Sequence, residues 1–354
     1  MTNPHKGRGA VSNAAGRFET QSAHSFDDGW TDADPAPLAD DTVLTPEAAR
    51  TIISRNTSPD LSFDRTVNPY RGCEHGCIYC YARPNHAYAG LSPGRDFETR
   101  IFFKPDAARL LEEEFAHPGY APETLVLGGV TDVYQPAEKT LRITRALLEV
   151  CRATRHPVGL VTKSALVLRD LDILAPMAAD GLAKVAVSIT TLDPKLARTM
   201  EPRAAAPHRR LSTVRALADA GVPVTVMVAP LIPALNDPEI EAILEASAGA
   251  GAQAAGYVAL RLPLEIKDLF AQWLEAHRPD AARRIMGLVR AMHGGKAYRA
   301  QFGLRQRGSG PYADLMGKRF RAAVRRYGLD RSSPKLRTDL FRRPVLPGGQ
   351  FGLL

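Results

Sequence analysis

The stretch that decides the fold is a short loop that contains three of the four cysteines. Residues 68–83 read NPYRGCEHGCIYCYAR, so Cys73, Cys77 and Cys80 follow the spacing C-x3-C-x2-C. A glycine precedes each of the first two cysteines, and glycine lets the backbone curl so that the sulfur atoms face one point. Thiolates this close together form a site for a soft metal.

The number of available ligands distinguishes the kinds of metal site. Structural zinc takes four protein ligands, usually in two separated pairs, and a second cysteine pair is missing because Cys151 stands alone. His75 and His86 are available as a fourth ligand, but His75 lies between two cysteines, where steric access is poor. A four-iron cluster held by three cysteines keeps one iron open to an exogenous group. We therefore predict an iron–sulfur cluster that does chemistry, with a zinc site and inert core cysteines as the alternatives.

Composition restricts the class of protein. The 354 residues are 45% hydrophobic and 24% charged, which is ordinary for a globular protein and excludes a collagen, a mucin or a wholly disordered chain. Four cysteines, three of them within eight residues, do not form a secreted disulfide framework. The N-terminal residues show no secretory signal, and the most apolar stretch, 222–235, is too short to span a bilayer. We expect a cytoplasmic protein.

Charge is distributed unevenly along the chain. The net charge is +8, yet residues 278–343 contain 18 Lys and Arg against four Asp, a net of +14, which makes the remainder of the chain −6. A block of this kind suggests an anionic partner such as a nucleic acid. The alternative is a solvated arginine-rich surface without a partner.

Short apolar runs alternate with amphipathic helices after about residue 48. The runs are 124–128, 158–162, 184–189, 222–228 and 256–260, and the helices are centred on 143–151, 240–248, 266–274 and 285–292. Continuous apolar runs suit strands that are buried on both faces of a parallel sheet. With one further strand expected near the cysteines, the pattern predicts a βα-repeat fold, either a partial or complete barrel or an open doubly wound sheet.

Several motifs together resemble a known family. The cysteine motif with the aromatic Tyr79 before its last cysteine is similar to that of the radical SAM superfamily, whose enzymes use S-adenosylmethionine (SAM). Four further motifs narrow the resemblance to an uncharacterised bacterial subgroup related to spore photoproduct lyase. They are KGRGA at 6–10, TDVYQP at 131–136, TTLD at 190–193 and MEPRA at 200–204.

The resemblance implies a fold and a division of the chain. The fold class is α/β, a partial (β/α)6 TIM-like barrel with a C-terminal helical basic extension. The expected divisions are a flexible N-terminal arm over residues 1–48, the radical SAM core barrel over 49–265 and the Arg-rich extension over 266–354.

The resemblance also implies cofactors and a reaction. A 4Fe-4S cluster held by Cys73, Cys77 and Cys80 would bind SAM at its open iron and receive an electron from a reductant such as flavodoxin or ferredoxin. Reductive cleavage of SAM would give methionine and a 5′-deoxyadenosyl radical that abstracts a hydrogen atom from the substrate. The substrate is unidentified, and a nucleic acid that is repaired or modified is one hypothesis. The alternatives are an iron–sulfur electron carrier or binding module that does not cleave SAM, and a zinc-binding nucleic-acid protein.

Residues near the cysteines and after the first two apolar runs are expected to contact SAM. Tyr79 would pack toward the adenine. Gly128 and Gly129 stand where the family has a Gly-Gly-Glu motif that contacts the methionine amine, and Val130 replaces the acid, so Thr131 and Asp132 would take over the polar contact. A tight strand-to-helix turn is the alternative explanation of the glycines. Lys163 ends the next apolar run, and such strand ends face the active site of a βα barrel.

Residues after the later apolar runs complete the expected site. Ser188 and Thr190 lie two apart, so both side chains can face the ribose, with capping of the following helix as the alternative. Arg203 could pair with the SAM carboxylate, or Glu201 could hold that arginine in place. Asn236 belongs to a segment similar to the family's adenine-binding region, although Ala234 stands where a glycine is common.

Two further residues are candidates for roles toward the substrate. Arg261 ends the sixth expected strand and would point at the substrate. Cys151 lies on the apolar face of a predicted helix, which favours a core residue over a hydrogen-atom donor.

Overall fold

Two β-sheets and eleven α-helices make up the part of the chain that the computed structural model describes, which is residues 7–19, 42–331 and 334–346. The strands are β1 (Val43–Pro46), β2 (Ile53–Arg55), β3 (Arg65–Val67), β4 (Tyr70–Arg71), β5 (Arg100–Phe103), β6 (Leu125–Leu127), β7 (Val158–Thr162), β8 (Ala183–Ser188), β9 (Val224–Leu231) and β10 (Ala254–Ala259). The helices are α1 (Asp96–Thr99), α2 (Ala107–Ala116), α3 (Glu138–Leu141), α4 (Ile143–Ala153), α5 (Leu171–Ala179), α6 (Pro194–Met200), α7 (Pro207–Asp219), α8 (Ile240–Gly249), α9 (Ile266–His277), α10 (Pro279–Met292) and α11 (Pro311–Arg326).

The large sheet is an open, partial barrel. Its strand order is β10-β9-β8-β7-β6-β3-β2, in which the first six strands are parallel to their neighbours and β2 is antiparallel to β3. The six parallel strands follow one another in chain order, whereas a doubly wound sheet reverses its order at a switch point. The partial (β/α)6 barrel is therefore confirmed, and the doubly wound alternative is excluded.

The apolar runs form the strands that the sequence predicts. All five lie in β6 to β10, with ends that differ by a few residues, and the additional strand expected near the cysteines is β3. Val67, Leu125, Leu127 and Val158 are completely buried, since the sheet is covered on one face by helices and on the other by the barrel interior. Burial on both faces explains why apolar and polar residues do not alternate along these strands.

The predicted helices are also confirmed, with one difference at a helix start. In α4 the buried face consists of Ile143, Leu147, Leu148 and Cys151. The sequence predicts a helix capped near Asn236, but a short 3-10 helix over Asp237–Glu239 intervenes before α8 begins. The Asn236 side chain makes no capping hydrogen bond there, because its Oδ1 accepts from the backbone amide of Ile232 instead.

The described part of the N-terminal segment lies against the body of the protein. Ala10 and Val11 are buried, and β1 pairs with β5 in a three-stranded sheet of order β1-β5-β4. Residues 7–19 and β1 thus contact parts of the chain that are distant in sequence, and the division into an arm over residues 1–48, a core and an extension stays a prediction. Residues 1–6 and 20–41, which carry the rest of that expectation, lie outside the described residues.

The C-terminal extension covers the barrel. Helices α9 and α10 share an apolar cluster with Ile78 and Tyr79 of the cysteine loop. The free edge of β10 is covered by later parts of the chain, since the amide of Ala259 donates to Gln306 and Ala254 pairs with Asp330. No helix in the described ranges is both long enough and apolar enough to cross a membrane.

Helix α11 runs along the outside of the barrel beside α8. Near its start, Tyr312 donates to Asp237, which follows the carboxyl end of β9. Just beyond its end, Asp330 pairs with Ala254 at the opposite end of the sheet. The basic residues in the second half of α11 therefore lie away from the carboxyl ends of the strands.

Candidate functional site

The cysteine loop lies at the carboxyl ends of the six parallel strands. It follows β3 and the short strand β4, while Gly128, Lys163 and Thr190 follow the ends of β6, β7 and β8. Active sites of βα barrels form at this end, since the loops there converge on the barrel axis. The structure thus places the predicted site residues at one end of the sheet.

The three thiols of the cysteine loop are free, with Cys73 and Cys77 buried and Cys80 partly buried. Burial raises the pKa of Cys73, Cys77 and Cys80, and the neighbouring thiols raise the pKa of Cys73 further. The ammonium group of Lys163 acts in the opposite direction on Cys77 and Cys80 because it favours their thiolate forms. A metal would bind the thiolates and displace these protons.

The donor set fits an iron–sulfur cluster. Three soft sulfur donors lie on one loop, next to a cation that offsets their negative charge. Within the described ranges, no three His, Cys, Asp or Glu side chains are arranged around a single ion position. A four-iron cluster instead takes one protein ligand per iron, and three thiolates keep the fourth iron free for SAM.

His75 faces the carboxylate of Asp132. Its Nδ1 lies 3.3 Å from a carboxylate oxygen of Asp132, and both side chains are buried. Asp132 also accepts hydrogen bonds from the hydroxyl of Thr162 at 2.8 Å and from the backbone amides of Lys163 and Tyr134. Burial opposes its ionisation, but the charge of His75 and these donors lower the pKa of Asp132 to about 2. Asp132 therefore joins the loop after β6 to the cysteine loop and to the end of β7.

Glu201 is the centre of a buried polar network. It accepts hydrogen bonds from the hydroxyl groups of Tyr79 and Thr190, the latter at 2.8 Å, and forms an ion pair with Arg210. Burial raises the pKa of Glu201, and the charge of Arg210 partly opposes this rise. The network fixes the ring of Tyr79, and the Lys163 ammonium lies 5.8 Å from the centre of that ring.

The hypothesis that Glu201 holds Arg203 is wrong. Arg203 instead pairs with Glu74 of the cysteine loop at 3.0 Å. The reason lies in the geometry of the chain after α6, where Arg210 enters the interior and takes the Glu201 carboxylate, while Arg203 stays about one-third exposed.

The side chains of Ser188 and Asn236 make hydrogen bonds to backbone carbonyls of the protein. The hydroxyl of Ser188 donates to the carbonyl of Ala229 at 3.1 Å, and both amide hydrogens of Asn236 are donated to the carbonyls of Thr190 and Pro230. Asp193, rather than Ser188 or Thr190, caps α6. The capping alternative for Ser188 and Thr190 is therefore wrong. Ser188 and Asn236 hold the loops after β8 and β9 in place.

The two glycines after β6 allow a tight turn beside the cysteine loop. A Cβ on Gly128 would lie 2.4 Å from the carbonyl oxygen of Val161, and its φ of +87° belongs to the left-handed region. Gly129 accepts a hydrogen bond from the hydroxyl of Tyr81, and Thr131 donates to the carbonyl of Tyr70 at 3.0 Å. The turn interpretation is confirmed, and a role toward SAM remains a prediction.

Arg261 lies at the mouth of the barrel between two tyrosines. Its guanidinium is 5.0 Å from the ring centre of Tyr81 and 5.9 Å from that of Tyr298. Tyr81 directly follows Cys80 and is 43% exposed. Arg261 thus lies beside the cysteine loop, and its role toward the substrate stays a prediction.

Cys151 lies far from the other cysteines. It is completely buried near the end of α4, next to the start of β7, which is the opposite end of the sheet from the cysteine loop. Burial in apolar surroundings raises its pKa to about 12. The position supports a core role and gives no support to a hydrogen-atom donor.

Sequence reasoning missed Arg83, Glu98 and Arg210. All three are buried charged residues whose partners lie on other loops. The motif KGRGA contains Gly9, and a glycine permits a close backbone approach, but the motif did not identify Glu98 or the cysteine loop as the partner.

The match to a family model defines the class of this protein. Residues 67–246 match the model of the radical SAM superfamily, and the chain belongs to that superfamily. Its members use a 4Fe-4S cluster and SAM, and they need a reductant.

Two relatives extend the similarity across bacteria and archaea. The uncharacterized protein Rv2578c of Mycobacterium tuberculosis is 37% identical over 232 residues, which are 65% of this chain and 68% of that protein. The uncharacterized protein MJ0683 of Methanocaldococcus jannaschii is 26% identical over 173 residues, 49% of this chain and 62% of that protein.

Solved structures show the same fold. Spore photoproduct lyase complexed with dinucleoside spore photoproduct aligns with a TM-score of 0.57 at 18% identity, over 80% of this chain and 78% of that one. A mutant of spore photoproduct lyase with bound AdoMet and dinucleoside spore photoproduct aligns equally well. At this identity the likeness concerns the fold alone.

Proposed function

We propose that this protein is a radical SAM enzyme whose cluster is held by Cys73, Cys77 and Cys80. The observation that supports the proposal is the set of three free thiols, two buried and one partly buried, on one loop at the carboxyl ends of six parallel strands. When bound, the cluster supplies the electron that breaks a carbon–sulfur bond of SAM, and the resulting radical abstracts a hydrogen atom from the substrate.

The side chains around the thiols divide into two groups. Asp132, Ser188, Thr190 and Asn236 make hydrogen bonds within the protein and hold the loops in position. Lys163 and Arg203 carry charge beside the cysteine loop and remain the candidates for direct contact with the SAM carboxylate. We propose that the turn at Gly128 and Gly129 permits close approach of the methionine part, while Tyr79 provides the surface for the adenine.

The experiment that tests the proposal is anaerobic reconstitution with iron and sulfide, followed by addition of dithionite and SAM. We expect production of 5′-deoxyadenosine that requires all three additions. A protein that binds a cluster but yields no 5′-deoxyadenosine would support the electron-carrier alternative. A colourless protein that purifies with zinc would support the third alternative.

We further propose that the protein binds a nucleic acid through its basic C-terminal region. Four exposed cations on α11, which are Lys318, Arg321, Arg325 and Arg326, have no ion pair within the described part of the chain. Three other basic residues of the extension are neutralised, since Arg305 pairs with Asp60, Arg319 with Glu241 and Arg337 with Asp339. The positive surface of α11 therefore offers contacts to phosphates on the outside of the barrel.

Removal of these four cations should weaken nucleic-acid binding in a salt-dependent way. With all four changed to Gln, we expect the negative slope of log K (the association constant) against log salt concentration to become shallower by up to about 3.6 on double-stranded DNA. Each phosphate contact to B-DNA contributes about 0.9 to the size of this slope. Fluorescence anisotropy with labelled DNA and RNA 30-mers, single- and double-stranded, measures this slope. A control with the same change of charge replaces four exposed arginines elsewhere, Arg50, Arg55, Arg152 and Arg209. Equal slopes for the two variants would refute the role of α11.

The proposed setting follows from the cofactor chemistry. Free cysteines and a reduced cluster suit a reducing compartment, so we propose a cytoplasmic location with flavodoxin or ferredoxin as the electron donor.

A further inference from the structure

We infer that a buried clamp, formed by Arg83, Glu98 and the N-terminal residues Gly9 and Ala10, positions the cysteine loop for cluster binding. The inference rests on the proposed function, because it assigns the loop to the cluster. It concerns the guanidinium of Arg83, which follows the last cysteine by three residues, together with residues distant from the cysteine motif in sequence.

The first part of the clamp is Arg83, which holds the backbone of the cysteine loop. Its guanidinium is completely buried and donates to the carbonyls of Gly76 and Cys77 at 3.2 and 2.9 Å. It also donates to the carbonyls of Pro93 and Gly94 at 3.1 and 2.8 Å. Because the guanidinium is planar and rigid, these bonds fix the loop between the first and third cysteines relative to the segment before α1.

The second part is Glu98, which balances the buried charge of Arg83. The two side chains form an ion pair at 2.5 Å, and both are completely buried. A buried ion pair needs its remaining polar atoms satisfied, since unpaired ones would cost several kcal/mol. The carboxylate finds these partners in the N-terminal segment, where the backbone amides of Gly9 and Ala10 donate to it at 3.0 and 2.9 Å.

The third part is the close approach of the N-terminal segment to the loop. A Cβ built on Gly9 would lie 1.8 Å from the carbonyl oxygen of Gly76, a distance that no side chain can occupy. A Cβ on Gly76 would in turn lie 2.8 Å from the Glu98 carboxylate. Only glycine at both positions allows the segment, the loop and the carboxylate to pack together.

The N-terminal segment is also anchored beyond the clamp. Asn13 exchanges two hydrogen bonds of 2.9 Å with Asp96, and Arg17 pairs with Glu265 at 2.9 Å. Ala10 and Val11 join the apolar cluster that contains Ile78 and α9. The segment thus ties the cysteine loop to the C-terminal extension, and its position does not depend on the clamp alone.

The clamp therefore sets the backbone conformation at Gly76 and Cys77 through the guanidinium of Arg83, which donates to carbonyl oxygens. Two carbonyls of a short loop that must present three thiolates in one geometry are thus held by Arg83. The charge of Arg83 is in turn balanced by Glu98, which the distant N-terminal segment holds in place. Outer partners of this kind typically change metal affinity by about 10 to 100-fold when they are removed.

The experiment uses the full-length protein reconstituted with iron and sulfide under anaerobic conditions. We expect Gly9→Ala to release iron to a chelator at least about tenfold faster than the unsubstituted protein. The control is Gly287→Ala in α10, where a Cβ would meet nothing within 4 Å, and it should retain iron like the unsubstituted protein. Retention of iron by Gly9→Ala at the unsubstituted rate would overturn the inference.

Two further variants keep the test decisive if Gly9→Ala fails to fold. Arg83→Lys keeps the charge that pairs with Glu98 but loses the fork that holds Gly76 and Cys77, whereas Glu98→Gln places an amide donor against backbone donors. We expect both to release iron faster and to change the electron paramagnetic resonance spectrum of the reduced cluster. Normal iron retention and an unchanged spectrum in Arg83→Lys would show that only charge balance matters and would contradict positioning. Failure of the unsubstituted protein itself to bind iron and sulfide would count against the proposed function instead.

Discussion

Replacement of Cys77 by alanine is expected to abolish both cluster binding and production of 5′-deoxyadenosine. With two thiolates the loop can hold no more than two irons of a four-iron cluster by protein ligands. The same result is expected for Cys73→Ala and Cys80→Ala. Iron and sulfide per chain, visible absorption and chromatographic detection of 5′-deoxyadenosine after reaction with dithionite and SAM measure the effect.

Cys151→Ala is the matched control for these three variants. It also removes one buried thiol, but at the other end of the sheet, so the iron content and the yield of 5′-deoxyadenosine should be unchanged. A modest loss of stability, about 1 kcal/mol, is expected because a small core group is lost. Normal activity in any of the three loop variants would refute the ligand assignment, and loss of activity with retained iron in Cys151→Ala would revive the donor hypothesis.

The second large effect is expected for Arg210→Ala, which should lower the free energy of unfolding by about 3–5 kcal/mol. The substitution leaves the Glu201 carboxylate buried without its counter-charge and frees the carbonyls of Ser188 and Ala205. Denaturant unfolding of the metal-free protein, followed by circular dichroism, measures the change.

Arg209→Ala provides the neighbouring control. Arg209 is exposed on the same helix, so its removal should change the free energy of unfolding by less than about 0.5 kcal/mol. The double variant Glu201→Gln with Arg210→Met should recover part of the lost stability, because it removes both buried charges. Equal stability of Arg210→Ala and Arg209→Ala would contradict a buried ion pair at the centre of this network.

The sequence was sufficient to predict the barrel because the hydrophobic patterns that indicate its strands and helices are local. Apolar runs such as 158–162 and amphipathic segments such as 143–151 are read from neighbouring residues alone, and both types of element are confirmed. The glycine-rich cysteine motif was equally local, since its three thiols lie within eight residues. The boundaries of the strands shifted by a few residues because the ends of strands depend on pairing with neighbours.

The polar contacts of the site could not be predicted because they join residues distant in sequence. Glu98 reads as an ordinary surface acid, and nothing near it indicates that it accepts hydrogen bonds from Gly9 and Ala10, almost ninety residues earlier. The choice of Arg210 rather than Arg203 as the partner of Glu201 likewise depends on which side of the chain enters the interior. A motif identifies the residue types that chemistry needs, while tertiary packing decides which of them are still free to meet a ligand.

The covered edge of β10 has a consequence for association between molecules. An open barrel exposes the outer strand, and unpaired amides and carbonyls on such a strand recruit strands from other chains. Here Gln306, Leu329 and Asp330 occupy that edge with backbone hydrogen bonds of their own. The basic extension therefore protects the protein against edge-to-edge aggregation, while the barrel itself stays open.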